Sequence, residues 1–449
     1  MNYKNEYRKK MISAEEAAML VKSEMWVDYG FAAGFPMLID EELSKRTDLE
    51  SVMVRMDWAT TVPKILESDP EQERFVVNSY FVTHGVRKFV KKGTCIPIPR
   101  GFGDSPKIYR NFLRDRVDIA FITVTPMDKH GYFNFGAACS QQKAICDVAK
   151  TVVVEVNESQ PWACGGYDEI IHISEIDYLV ENNKYKIGEL VPPEPNDVQI
   201  QIAKNVSQFI EDGSTIQLGI GPIPNMICKE LLERGVKDLG IHSEMFTEGM
   251  MDLMEAGLAN GKFKKLNKGK VVYTFAAGTR KLYDYIDNNS ALATCPVDYV
   301  NDPFIISQND KQFSVNSAIR IDLTGQVDAE SIGPNQVSGS GGQLDFTRGA
   351  YQSKGGKAFI VLPSTYTDKS GNLKTNILPK LDHGDIITDP RNDVSYVATE
   401  YGVVNLKGRS LWERARLLIS IAHPSFRGQL EEEAIKLKYL NQLTKKLPL

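Results

Sequence analysis

Hydrophobic and polar positions along the chain alternate between two textures. Short β-rich runs such as Val152-Val153-Val154-Glu155-Val156 and Ala358-Phe359-Ile360-Val361-Leu362 are separated by stretches with helical spacing. Two of those stretches carry their own start signals. Ser13 and Glu16 form a capping box, and Asn196 or Asp197 caps a run that sets Val198, Ile202, Val206 and Ile210 on one stripe. Strands alternating with helices predict an α/β protein with parallel or mixed sheets covered by helices on both faces. In such sheets ligands bind beyond the carboxyl ends of the strands.

The pattern also repeats. A shift of 188 residues sets Trp26-Val27-Asp28-Tyr29 on Ser214-Thr215-Ile216-Gln217, Pro36 on Pro224 and Glu42-Leu43 on Glu230-Leu231. A shift of 194 sets Met127-Asp128-Lys129-His130-Gly131 on Ile321-Asp322-Leu323-Thr324-Gly325. Between the copies runs Val191-Pro192-Pro193-Glu194-Pro195-Asn196, an extended proline segment that reads as a linker. The expectation is two related open α/β domains, 1–190 and 197–449. Under the 188 shift Met56 falls opposite Glu244, which leaves the carboxylate to the second copy alone.

With 449 residues, 42% of them apolar, the chain has material for two sizeable cores. Its 53 basic and 58 acidic residues leave a net charge of −5, so no global field recruits nucleic acid or an anionic membrane. Cys95, Cys139, Cys146, Cys164, Cys228 and Cys295 are scattered without C-x-x-C spacing, which predicts reduced core thiols; the six histidines are equally dispersed, and no metal site is expected. The start Met1-Asn2-Tyr3-Lys4 is polar and no apolar run approaches membrane length, so the reading is cytoplasmic.

Candidate chemistry begins at Gly219-Ile220-Gly221-Pro222-Ile223-Pro224. Thr215 to Leu218 reads as a strand, the glycines permit a tight turn, Pro224 suits a helix's first position, and the helix continues from Asn225 to Leu232. Such a turn offers backbone N–H groups to an oxyanion, and Glu244, in Ile241-His242-Ser243-Glu244-Met245, falls one strand–turn–helix–strand unit later. A second glycine cluster, Ser338-Gly339-Ser340-Gly341-Gly342-Gln343-Leu344-Asp345-Phe346, brings backbone close to a bulky ligand or forms a surface loop. It lacks the Lys-Ser or Lys-Thr of a Walker loop, and no G-x-S-x-G elbow occurs. Lys262, Lys264, Lys265, Lys268 and Lys270 form a basic run that reads as a solvated face or a phosphate attractor.

Together with Glu400-Tyr401-Gly402-Val403 and Ile421-Ala422-His423-Pro424, these motifs resemble the acetyl-CoA hydrolase/transferase family of class I CoA-transferases. The likeness is greatest to the butyryl-CoA:acetate and 4-hydroxybutyrate type. It implies a Glu244 nucleophile, a glutamyl-CoA thioester, and coenzyme A as co-substrate with no permanently bound cofactor. It also implies a CoA site at Gly219, Ile220, Gly221, Pro222, Ile223, Gly341 and Gly342, with Ile319 and Asn301 as further contacts. His242 is expected to be a structural neighbour, because carboxylate attack needs no proton shuttle. The implied partners are acyl-CoA and short-chain carboxylic acids. A homo-oligomer is expected from the commonness of symmetric assemblies. Tyr29 to Pro36 and Asn78 to Phe81 differ from the aromatic-rich butyryl pattern, which leaves short aliphatic, 4-hydroxy and dicarboxylic acids open as substrates. An acyl-CoA hydrolase using the same glutamate and a silent nucleotide-binding α/β protein are the competing readings.

Overall fold

Seven strands build the first sheet in the computed structural model, which describes residues 3–191, 193–219 and 221–448. They are β1 (Trp26–Tyr29), β2 (Val52–Met56), β3 (Phe75–Ser79), β4 (Cys95–Pro97), β5 (Ile119–Val124), β6 (Thr151–Val156) and β7 (Tyr178–Glu181). Their order is β4-β3-β2-β1-β5-β6-β7, with every neighbouring pair parallel. The second sheet contains β8 (Thr215–Leu218), β9 (Gly240–Ile241), β10 (Gln312–Ser317), β11 (Lys357–Val361), β12 (Tyr396–Thr399) and β13 (Gly402–Asn405). Its order is β9-β8-β10-β11-β12-β13, parallel except for the final hairpin. The most continuously apolar segment, β5, lies inside the first sheet and is buried at all six positions, as a strand covered on both faces requires.

The helices include α1 (Met37–Ser44), α2 (Asp197–Ser207), α3 (Pro222–Arg234) and α4 (Gln343–Gln352). Asn196 caps α2, with Gln199 reciprocating, and Ile202 and Val206 on the predicted stripe are buried. Helix α3 begins two residues before the expected Pro224. Gly221, at φ 123°, is its N-cap and Pro222 its first residue, while Pro224 is tolerated because a helix's first N–H groups have no intrahelical acceptor. Residues 191 and 193–196 lack regular structure, and Pro192 lies outside the described residues.

Both repeat signals appear in the fold. Strands β2-β1-β5-β6-β7 and β9-β8-β10-β11-β12 share one order. In each copy an aspartate closes the same tight turn. Asp128 Oδ1 accepts from the N–H groups of His130 and Tyr132, and Asp322 Oδ1 from those of Thr324 and Gln326, with Gly131 and Gly325 at φ 88° and 97°.

Hydrogen-bond register corrects the first shift by one residue, to 189 at β1 and β8 and to 187 at β2 and β9. Gly30 N–H donates to Phe121 O and Gly219 N–H to Val315 O, which matches Gly30 with Gly219. Trp26 pairs with Met53 as Thr215 pairs with Gly240. Four residues beyond Met53 and Gly240 stand Asp57 and Glu244. The first copy therefore has a carboxylate at the matching position after all, and Met56 corresponds to Ser243. Identities in the helices drew the sequence alignment off by one, whereas the ladder admits a single register.

The largest apolar cluster joins the halves, packing Phe31, Phe102 and Ala138 from the first against Met245, Phe275 and Ala276 from the second. No helix among the described residues is long and apolar enough to cross a membrane. All six cysteines are free thiols, and only Cys164 is not buried.

Candidate active site

Glu244 stands just beyond β9, at the carboxyl end of the second sheet, on backbone tied from both sides. His242 N–H donates to Ile216 O at 3.2 Å and Ser243 N–H to Val272 O at 3.0 Å, while Glu244 O accepts from Thr274 and Phe275. Ser243 Oγ closes the bend by donating to Met245 O at 2.8 Å. The Glu244 side chain consequently projects from a fixed base. Its Oε2 accepts from Asn301 Nδ2 at 2.6 Å, and the nearby Gly342 N–H also favours the ionised form. Burial pushes its carboxyl up to about 7; Asn301, the Arg100 charge and the Gly342 N–H oppose that rise, and Asp57 adds to it.

The glycine cluster is a clamp between the halves. A Cβ on Gly342 would sit 1.9 Å from Asn301 Nδ2 and 2.1 Å from Glu244 Oε2, so glycine is what admits the carboxylate–amide pair. A Cβ on Gly339 would meet Tyr80 O at 2.8 Å. Phe102 N–H donates to Gly341 O at 2.9 Å, and Arg87 Nε to Val337 O at 2.7 Å. Behind the loop, Asp345 accepts from Gly103 N–H at 3.3 Å; burial first and Glu244 second raise its carboxyl to about 7. The Glu244 charge thus works against ionisation of Asp345.

A cavity of about 760 Å³ opens over Glu244 where the halves meet. Phe31, Trp58, Phe102 and Phe275 form one wall, with Phe31 lying 4.9 Å from Phe275 and 5.1 Å from Phe102 between ring centroids. Asp57 and Arg100 line it too, joined by a 2.6 Å ion pair whose side chains are 2% and 4% exposed. Gln141 donates to the same Asp57 oxygen at 3.0 Å. Arg100 is packed against the Tyr80 and Phe102 rings at 4.4 and 4.9 Å.

Residues 1–192 match the acetyl-CoA hydrolase/transferase N-terminal domain, and residues 278–434 match the C-terminal domain of the same family. The chain belongs to the acetyl-CoA hydrolase/transferase family. It is 43% identical to the butyryl-CoA:acetate CoA-transferase of Anaerostipes caccae, covering 97% of this chain and 98% of that one. Identity to the 4-hydroxybutyrate coenzyme A transferase of Clostridium kluyveri is also 43%, over 96% of this chain and 99% of the relative. Among solved structures, RipA from Yersinia pestis superposes with a TM-score of 0.88 at 34% identity, covering 98% of this chain and 100% of that one.

Of the residues singled out in this family member's sequence, Glu244, Gly219, Ile319, Gly341 and Gly342 line one cavity. Asn301 stands behind Gly342, 1% exposed, as the partner of Glu244. Gly221, Pro222 and Ile223 are outside the cavity lining and begin α3, and Ile220 lies outside the described residues. Two prolines in the first three positions leave Ile223 as the sole N–H donor there, so α3 is a poorer anion cradle than its glycines suggest. His242 is fully buried; because its Nε2 meets a carbonyl, Val300 O at 2.8 Å, it donates as the neutral tautomer, and burial drives its pKa down to about 3. Lys264 is no solvated residue. It is 3% exposed and donates to the carbonyls of Ile241 and Lys270, each at 2.8 Å. None of the five lysines in the run lines the cavity. Asp57, Arg100 and the aromatic wall escaped the sequence reading, although correct repeat register points straight at Asp57.

Proposed function

We propose that this protein is a CoA-transferase that moves CoA between a short-chain, butyryl-like acyl-CoA and a carboxylic acid such as acetate through a glutamyl-CoA thioester on Glu244. The observation that carries this reading is the pairing of Glu244. Its side chain is held by the Asn301 amide beside the Gly342 backbone, with no hydroxyl or thiol among its described partners to activate as a nucleophile. A fixed, half-buried carboxylate over an open cavity is suited to attack a carbonyl itself.

Glu244 attacks the acyl-CoA carbonyl, giving a mixed anhydride and CoA thiolate; the thiolate attacks the glutamyl carbonyl and expels the first acid. A second carboxylate repeats the steps in reverse. Gly341 and Gly342 bring backbone to the reacting carbonyl, Gly219 and Ile319 border the CoA chain, and Asn301 holds Glu244 from behind Gly342. The wall of Phe31, Trp58, Phe102 and Phe275 favours an aliphatic acyl group. CoA is a substrate, and no resident cofactor is assigned. Buried free thiols fit a reducing cytoplasm. We assign the sheets to domains 1–190 and 197–449, working as a homo-oligomer.

The test is incubation with butyryl-CoA, with and without acetate, followed by mass spectrometry. Acetyl-CoA appearing only with acetate supports transfer, and CoA release without acceptor supports hydrolysis instead. Borohydride trapping without acceptor should leave Glu244 about 14 Da lighter, its carboxyl reduced to hydroxymethyl. Absence of exchange and adduct would make the protein a silent binder.

A further inference from the structure

Charge conservation in the proposed reaction, on which this inference rests, has a structural counterpart. In the free enzyme the reacting negative charge is on Glu244. Once the glutamyl-CoA thioester forms, Glu244 is neutral and the charge has moved to the free acid. That carboxylate must occupy the same cavity to attack, so a cation serving both states must face Glu244 without being consumed by it.

Arg100 meets these conditions. It lines the cavity, and its charge eases the ionisation of Glu244. The guanidinium is fixed: Asp57 takes Nη2 at 2.6 Å, Ser105 Oγ takes Nη1, and the Tyr80 and Phe102 rings pack against it. It is not saturated, for among the described residues Nε is buried with no acceptor, and Asp57 Oδ1 is buried with no donor. An unsatisfied buried donor of this kind is costly to leave unpaired.

We propose that Arg100, anchored by Asp57, is the receptor for the free carboxylate of the departing and incoming acids. It compensates Glu244 in the resting enzyme and the substrate carboxylate in the thioester state. Arginine suits the task because its charge is permanent and its planar fork orients a carboxylate. Asp57 fixes that fork, at the expense of part of the attraction for a second anion.

Glu244→Gln imitates the neutral glutamyl state, so acetate affinity tests the inference without turnover. In ligand-observed NMR titrations at about pH 8 with CoA present, Glu244→Gln should bind acetate at least about tenfold more tightly than wild type. Adding Arg100→Gln should abolish that gain; adding Asp57→Asn should preserve or increase it. Opposite signs from two partners of one ion pair are what a purely structural pair does not produce. Equal acetate affinity in wild type and Glu244→Gln overturns the inference, as does loss of binding from both added substitutions alike. Should Arg100→Gln misfold, Arg100→Lys, which keeps the charge and loses the fork, must still weaken acetate binding. Wild-type transfer and adduct formation are measured alongside: their failure removes the transferase reading, while their success with acetate affinity indifferent to Arg100 removes this inference alone.

Discussion

Replacing Glu244 with glutamine should stabilise the protein while silencing it, and the gain should depend on pH. Burial lifts the Glu244 carboxyl from 4.5 to about 7. Between those values the folded protein keeps a proton that the unfolded chain has released, so its stability falls as pH rises through that window; the penalty is complete above it. At 1.36 kcal/mol per pH unit the upper bound is about 3 kcal/mol, lowered by whatever water reaches the carboxylate through the cavity. The amide retains fewer of the carboxylate's acceptor contacts, which offsets about 1 kcal/mol. If the whole chain melts as one unit, an unfolding entropy of about 0.9 kcal/mol/K converts the remainder into a melting temperature about 2 °C higher at pH 8.5. Near pH 5 the gain should vanish or reverse. Asp345 reinforces the sign, since its own elevation rests partly on the Glu244 charge. Calorimetric scans of both proteins at the two pH values, with turnover measured on the same samples, test this directly. A pH-independent difference, or a wild type more stable at pH 8.5, would refute the buried-charge argument. Turnover retained above about one hundredth, a barrier change under about 2.7 kcal/mol, would place the nucleophile elsewhere.

Asn301→Ala removes the 2.6 Å hydrogen bond that favours ionised Glu244, so the acid limb of the pH–rate profile, expected near pH 7, should move upward and maximal turnover should fall about tenfold or more. An unmoved limb would show that Asn301 does not tune the carboxylate. Gly342→Val should damage turnover far more than Ser338→Ala, because its side chain would enter the space of Glu244 Oε2 and Asn301 Nδ2. Equal turnover numbers for the two folded variants would contradict that placement.

The alternation of textures made the α/β architecture legible, and the glycine cluster and Glu244 were legible through residue type and order. What stayed hidden depends on register and on contacts between distant segments. Asp57 and Arg100 are 43 residues apart in sequence and meet because β2 and the chain following β4 end at the same rim of one sheet. The cavity's aromatic wall draws Phe31, Trp58 and Phe102 from three separate segments of one half and Phe275 from the other, a grouping that no local periodicity encodes. Lys264 shows the converse error. In a run of five lysines it read as solvated, yet the fold turns its stem inward and caps its ammonium with two carbonyls.

The repeat sharpens the question of why Glu244, rather than its counterpart Asp57, is the proposed nucleophile. Both carboxylates stand four residues beyond matched strand positions and both line the cavity. Their neighbours differ. Asp57 Oδ2 is held by Arg100 at 2.6 Å and Gln141 at 3.0 Å, and its Oδ1 is enclosed without a partner. A carboxylate ion-paired to a guanidinium and hydrogen-bonded to an amide has little electron density to offer a carbonyl. Glu244 has one more methylene, no direct cationic contact among the described residues, and a glycine where any side chain would displace its carboxylate. The same backbone register thus yields an anchored anion in one copy and the proposed nucleophile in the other. Exchanging Asp57 for glutamate in the Glu244→Gln background should accordingly fail to restore transfer, because the added length would leave the Arg100 and Gln141 contacts in charge of the carboxylate.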